Sequence, residues 1–305
     1  MPALRSKGTA SAQMVVRRAS DAPKLAIEMT SPVVHKLLDF IVANRALYTE
    51  GVTPNEFVEQ AVAICGAGPS LRGASFSAVS QVWACNSALP YLHAQGVGLT
   101  RPLSGVGIDQ TPGMLRDWSD APDVTYYVAS SCDPELVRHL LAHNRRVRFF
   151  HNAVGVIPAG YATEFDYYRA TWPEPNLMVG EGANVVSRVI YLAEGAGFER
   201  FDIHGADCCF ADGDVAHANG EVATEAYNHP LIMEGEVNGK KFRARPDMLL
   251  EAVDLVRKVR RYKGRVRLVG NTLPVALLGK DDTYLDLVMR RLQPGELTGE
   301  SNHGQ

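Results

Sequence analysis

The stretch Ala61-Val-Ala-Ile-Cys-Gly-Ala-Gly-Pro-Ser-Leu71 decides the fold class. Its first half is a short apolar run, β-branched at Val62 and Ile64, and reads as a buried strand. Its second half is a tight turn. Gly66 and Gly68 leave room for close backbone approach, Pro69 fixes one φ angle, and Ser70 stands where a helix would start. A strand feeding such a turn can aim backbone N–H groups at an anion. The third glycine is Gly73 rather than residue 71, so this is not the dinucleotide fingerprint, and no lysine follows as in a P-loop.

Outward from that stretch the same alternation continues. Strands are expected over 81–85, 105–108, 124–129, 146–150 and 201–204, with helices over 88–95, 134–143 and 184–195 between them. Ser31-Pro32 opens an amphipathic helix carrying Val33, Leu37, Leu38, Ile41, Val42 and Leu47. Short apolar strands alternating with helices predict an α/β, Rossmann-like chain: a mainly parallel, doubly wound sheet with helices on both faces. Beyond Asp207 the pattern changes. Asn238-Gly239 between extended arms predicts a hairpin over 235–242. A helix over 246–261, with Leu249, Leu250, Val253, Val256 and Val259 inward, then leads to a short strand over 265–271 and a last helix over 282–291.

This divides the chain into a disordered arm over 1–24, a helical segment over 25–56 and a nucleotide-binding domain over 57–220. A hairpin-and-helix extension over 221–293 and a polar tail over 294–305 complete it. The arm is basic and Ser/Ala-rich and lacks the apolar core of a secretory signal. With 46% hydrophobic residues the 305-residue chain can build a large core, yet no apolar run approaches the ~20 residues of a membrane span. The formal charge of −3 gives no general reason to expect nucleic acid as a partner. Five cysteines without a CxxC pair suit reduced thiols in a cytoplasmic protein. The cations between Arg257 and Arg267 read as a solvated helix end in preference to an RNA-binding patch.

Ligands of open α/β sheets lie beyond the carboxyl ends of the strands. Each expected strand here ends in polar or glycine residues: 66–70, Asn86-Ser87, Asp109, Ser130-Ser131-Cys132-Asp133, His151-Asn152 and Gly205-Ala206-Asp207. Gly180-Glu-Gly-Ala-Asn184 precedes a helix carrying Arg188 and makes a second candidate anion cradle, with Arg188 either on a phosphate or solvated. Asp109 and Asp207 are the carboxylates for a Mg²⁺ held together with substrate phosphates, unless each caps a turn. His151 and His217 are the candidates for acid, base or phosphate donor, because an unperturbed imidazole changes charge near neutrality. His204, inside a strand, reads as a core residue.

These motifs form an ordered set: Gly-Ala-Gly-Pro-Ser-Leu at 66–71, Ala-Cys-Asn-Ser-Ala-Leu at 84–89, Gly-Ile-Asp at 107–109 and Ala-Ser-Ser-Cys-Asp-Pro at 129–134. His-Asn at 151–152, Gly-Glu-Gly-Ala-Asn-Val-Val at 180–186, Gly-Ala-Asp-Cys-Cys-Phe at 205–210 and His-Ala at 217–218 follow. Over residues 60–220 the set resembles the MptE-like 6-hydroxymethylpterin diphosphokinase family. The resemblance implies a Rossmann-like transferase moving diphosphate from ATP to a pterin in a Mg²⁺-dependent reaction. By motif, Gly66, Ala67, Gly68, Pro69, Ser70, Leu71 and Asn86 would bind nucleotide, and Asp109 and Asp207 would hold metal or phosphate. Ser130, Ser131 and Asn152 would line the site, and the loop carrying Gly180, Gly182 and Asn184 would help close it. The signature is also similar to relatives thought to handle nucleotide sugars, the motility accessory factors, and to the CMP-binding face of some sialyltransferases. The expected partners are therefore a nucleotide, ATP or another donor, with Mg²⁺ and a small-molecule acceptor; a homo-oligomer is left open. Glycosyl transfer from a nucleotide sugar, and nucleotide or partner binding without chemistry, are the alternatives.

Overall fold

The computed structural model describes residues 14–18, 31–110, 118, 121–155, 157–173, 177–180, 182–212, 215–220 and 231–290. Strand β1 (Met14–Arg18) and helix α1 (Ser31–Ala46) come first, followed by β2 (Ala61–Cys65), β3 (Gln81–Cys85), α2 (Ala88–Ala94) and β4 (Leu103–Gly107). Next are β5 (Thr125–Ala129), α3 (Pro134–Ala142), β6 (Arg146–Asn152), α4 (Glu164–Thr171), β7 (Met178–Val179), α5 (Val185–Gly195) and β8 (Arg200–His204). The chain continues through β9 (Leu231–Val237), β10 (Lys240–Ala244), α6 (Pro246–Arg261), β11 (Val266–Leu268), α7 (Leu273–Leu278) and α8 (Asp282–Arg290).

Eight strands pair in parallel in the order β11-β8-β2-β3-β4-β5-β6-β7. The central strands are short and apolar because both faces are covered, so no polar face is needed. Successive residues point to opposite faces, and the packing follows. Trp83 of β3 meets Phe198 just beyond α5. Gly105, in register with Ala84, faces Leu89 of α2, where a Cβ would approach to 2.8 Å. Helices therefore flank both faces of an α/β, Rossmann-like sheet, as the alternation of the sequence predicts.

The chain steps outward from β2 to β7 and then returns through α5 to lay β8 on the other side of β2. The order reverses between β2 and β8, and this is the switch point of the sheet. After α1, the chain is pinned to β6 by Arg148, which is 2% exposed and pairs with Glu50 at 3.1 Å and Glu56 at 2.7 Å.

A second, antiparallel sheet has the order β1-β9-β10. Its hairpin turns at Asn238 and Gly239, both at positive φ, as expected from the Asn-Gly pair. Met233, Val237 and Phe242 pack with Leu249, Val253, Leu273, Leu277 and Leu285 in a small separate core. One expectation needs correction here. The arm over 1–24 is not wholly structureless, since β1 pairs with β9 from Met14↔Gly235 to Arg18↔Leu231. The hairpin leaves one edge of β9 unpaired, and the β-branched Val15-Val16 run supplies its partner. The extension over 221–293 also contributes β11, which adds to the parallel sheet beside β8. The polar tail over 294–305 lies outside the described residues. No described helix is long and apolar enough to cross a membrane.

Candidate functional site

At the switch point the two glycine turns pack onto each other. Gly66 N–H donates to the His204 carbonyl and Gly68 N–H to the Gly205 carbonyl, both at 2.8 Å. Gly205 sits at φ +61, and a Cβ on it would stand 2.2 Å from the Gly66 carbonyl oxygen. A Cβ on Gly68 would meet Asp207 Oδ2 at 2.1 Å. These glycines are required by the crossing of two backbones. The anion that the turn faces is the chain's own. Asp207 accepts from Ser70 N–H at 3.1 Å and from the Ser70 hydroxyl at 2.8 Å. The loop beyond Asp207 then covers the turn, with Ala218 N–H on the Ala67 carbonyl and Arg72 Nε on the Ala218 carbonyl, each at 2.7 Å. The partly exposed His217 is thereby held beside this turn. Leu71 is buried beneath it, and its N–H closes on the Gly68 carbonyl at 3.0 Å.

Burial pushes the Asp207 carboxyl above its usual range, and the bonds from Ser70 offset only part of that. Asparagine at this position has one acceptor oxygen where the carboxylate has two. Asp207→Asn is therefore expected to lower stability by about 1–3 kcal/mol with no ligand present. Urea unfolding checks this; an unchanged midpoint would mean the lock contributes nothing. Asp109 lies beyond β4, whose axis is three strand spacings, or about 14 Å, from that of β8. No cluster of three or more His, Cys, Asp or Glu exists among the described residues.

The exits of β5 and β6 are closed as well. Ser130, Ser131 and Asn152 have no exposed surface. Ser131 donates to Asn152 Oδ1 at 2.7 Å, while Asn44 of α1 donates to the carbonyls of Ser130 and Cys132. His151 is buried, stacked on Tyr168 at 4.0 Å and edge-on to Trp172. These residues brace the strand ends and do not line an open site. Asn86, at φ +45, turns the chain out of β3 and accepts from Trp118 Nε1 at 3.0 Å. His204 is a core residue, edge-on to Phe76, and burial lowers its basicity.

The open volume lies further along the same carboxyl edge. A cleft of about 880 Å³ is bounded by Gln110 beyond β4, Ala153, Val154 and Gly155 beyond β6, and Gly182, Ala183, Arg188 and Tyr191 at the start of α5. Its far wall is α6, with Leu250, Val253, Asp254, Arg257, Lys258 and Arg261, and Leu37 and Met289 complete it. This size suits a small-molecule ligand. Gly182 is pinched: a Cβ there would lie 2.4 Å from Ser187 Oγ and 3.2 Å from Lys258 Nζ. Asn184 caps α5, accepting from Ser187 N–H at 2.8 Å in a capping box, and Gly180 lies against the Tyr191 ring. Ala183 N–H, the second expected cradle, donates to Asp254 at 3.1 Å. Burial would raise the Asp254 carboxyl, but Lys258 at 2.7 Å and the Ala183 N–H outweigh it and hold it below the usual range. Arg188 donates to the carbonyls of Gly182 and Ala153, with no carboxylate partner among the described residues.

Comparison with family models, curated proteins and solved structures finds no significant match. The site therefore has to be read from its own chemistry.

Of the expected site residues, Gly182 and Arg188 meet at the cleft, Asp207 joins the turn over 66–71, and Ser130, Ser131, His151 and Asn152 are sealed inside. The α6 wall was missed. Leu250, expected to face inward, is 41% exposed and lines the cleft. Spacing of 250, 253, 257 and 261 on one helical stripe is the signal that could have found it. Three further cations of the basic run are held in ion pairs: Arg260 with Asp282, Arg265 with Glu194 and Arg267 with Asp202. The five cysteines are free of disulfides, and burial holds the Cys65 and Cys208 thiols well above their usual range.

Proposed function

We propose that the chain is a nucleotide-dependent transferase of the kind represented by the 6-hydroxymethylpterin diphosphokinases, which its ordered motifs resemble. The observation that carries this reading is the cleft at the carboxyl edge of a parallel sheet, where Arg188, Arg257, Lys258 and Arg261 stand with one carboxylate, Asp254, among the described lining residues, and Arg257 also pairs with Asp286 behind it. Such a lining suits phosphate groups, which arginine binds by charge-assisted, often bidentate hydrogen bonds. In diphosphate transfer, an acceptor hydroxyl oxygen attacks the β-phosphorus of ATP. The bond from that phosphorus to the oxygen bridging the α- and β-phosphates breaks, AMP leaves, and the hydroxyl proton passes to a base. Fixed cations and positioning supply most of the catalysis of such a step.

A second reading is glycosyl transfer from a nucleotide sugar. It is favoured by the arginines lining the cleft, which can meet a leaving phosphate without a metal ion. Thermal shifts with ATP, GTP, CMP and CMP-sialic acid, each with and without Mg²⁺, distinguish the two. At 100 times its Kd, a ligand stabilises the fold by about 2.7 kcal/mol. The primary reading expects a Mg²⁺-dependent shift selective for ATP, followed by turnover with a pterin acceptor. A metal-independent preference for CMP species moves the assignment to glycosyl transfer. Binding without turnover on either acceptor class leaves a nucleotide-binding module, and no shift with any of them defeats all three readings.

A further inference from the structure

The cleft is not uniform along its length. Residues 250, 253, 257 and 261 form one stripe on α6, about 16 Å from end to end at the helical rise. The stripe begins apolar, with Leu250 and Val253, and ends cationic, with Arg257 and Arg261. Helix α8 runs antiparallel to it: Arg260 pairs with Asp282 and Arg257 with Asp286, which puts Met289 toward the Leu250 end. Lys258, only 4% exposed, is committed to Asp254 and props the floor below Gly182. Arg261 is different, since it is exposed and no carboxylate among the described residues pairs with it. Among the described residues Arg188 likewise bonds carbonyls, those of Gly182 and Ala153, and no carboxylate.

We propose that this cleft binds a nucleoside diphosphate lengthwise, with its phosphates among Arg188, Arg257 and Arg261 and its base against Leu250, Val253 and Met289. The proposal rests on reading the cleft as the ligand site, and it moves the phosphates from the glycine turn to α6. Four of the turn's five N–H groups are already used: those of Gly66 and Gly68 go to the β8 exit, that of Ser70 to Asp207 and that of Leu71 to the Gly68 carbonyl. Gln110, which also lines the cleft, offers an amide donor and acceptor that a heterocycle or ribose uses and an alkyl chain does not. The apolar end is a short patch, matched to one flat group.

The test is calorimetric titration of the full chain with ADP, CDP, inorganic pyrophosphate and farnesyl diphosphate. The variants are Arg261→Gln and Leu250→Ser, both at exposed positions, with Ser70→Ala at the turn. Arg261→Gln is expected to weaken ADP and pyrophosphate alike, by about tenfold, as loss of a charge-assisted contact does. Leu250→Ser is expected to weaken ADP several-fold and leave pyrophosphate unchanged. If ADP binding survives both changes but falls in Ser70→Ala, a nucleotide sits at the turn: the placement proposed here is overturned while the nucleotide reading stands. If farnesyl diphosphate binds with both dependences and neither nucleotide binds, the assignment to a nucleoside is overturned. If no probe binds, the cleft reading and this proposal fail together.

Discussion

Gly205→Ala is expected to be the most damaging single substitution in the parallel sheet, costing about 3 kcal/mol or more and lowering Tm by on the order of 10 °C. Two effects add. At φ +61 an L side chain meets its own carbonyl, a cost of about 1–2 kcal/mol. The new methyl would also stand 2.2 Å from the Gly66 carbonyl oxygen, which is backbone and cannot rotate away. Relief requires the β2 exit to separate from the β8 exit. That breaks the bond from Gly68 N–H to the Gly205 carbonyl and disturbs the grip of Asp207 on Ser70. Gly73 provides the control. Its φ is +74, but nothing lies within 4 Å of the position its Cβ would take. Gly73→Ala should therefore show the conformational cost alone, about 1 kcal/mol. Denaturant melts of the two variants measure the crossing by difference. Equal losses would mean that the crossing contributes nothing beyond backbone conformation.

Stability should also fall as pH rises from 5 to 8, and Glu251 should be the group responsible. Burial pushes its carboxyl up to about 7 from an ordinary value near 4.5; the hydrogen bond with Asn184 and the charge of Arg245 act downward, Asp247 and Asp254 upward. Because the folded value is the higher one, the fold favours the protonated acid. Its contribution is fully present below about 4.5 and is lost as pH rises through about 7. Across that window the loss is about 3 kcal/mol. Glu251→Gln keeps the shape and removes the titration, so its stability curve should be flatter and should lie above that of the unmodified chain at pH 8. Parallel curves would show that Glu251 does not titrate in this range. Glu251 contacts the cap of α5, so the same titration would reach the wall of the cleft through Asn184.

The two glycine motifs show how far a sequence can be read here. Both were legible as turns at strand or helix ends, and both are. At each, a carboxylate of the chain itself bonds the turn, Asp207 at Ser70 and Asp254 at Ala183. A run of glycines signals that something will approach the backbone closely, but not what it is. The partner of Ser70 lies 137 residues away and that of Ala183 lies 71 away. Strand order is likewise not written in any local pattern, so the sequence could not show that the exits carrying Asp109 and Asp207 lie three strand spacings apart.

By itself the sequence determined the local elements: short apolar strands, amphipathic helices, the Asn238-Gly239 hairpin and hence a parallel α/β sheet. These follow from side-chain periodicity and backbone preference, which act over a few residues. Only the tertiary structure decided that the switch-point crevice is filled by its own turns. It alone laid Val15-Val16 beside β9, sealed Ser130, Ser131 and Asn152 inside, and opened the cleft where α5 meets α6. Those outcomes depend on which donor reaches which acceptor, and which charge which partner, across long stretches of chain. Such contacts are settled by packing the whole molecule at once.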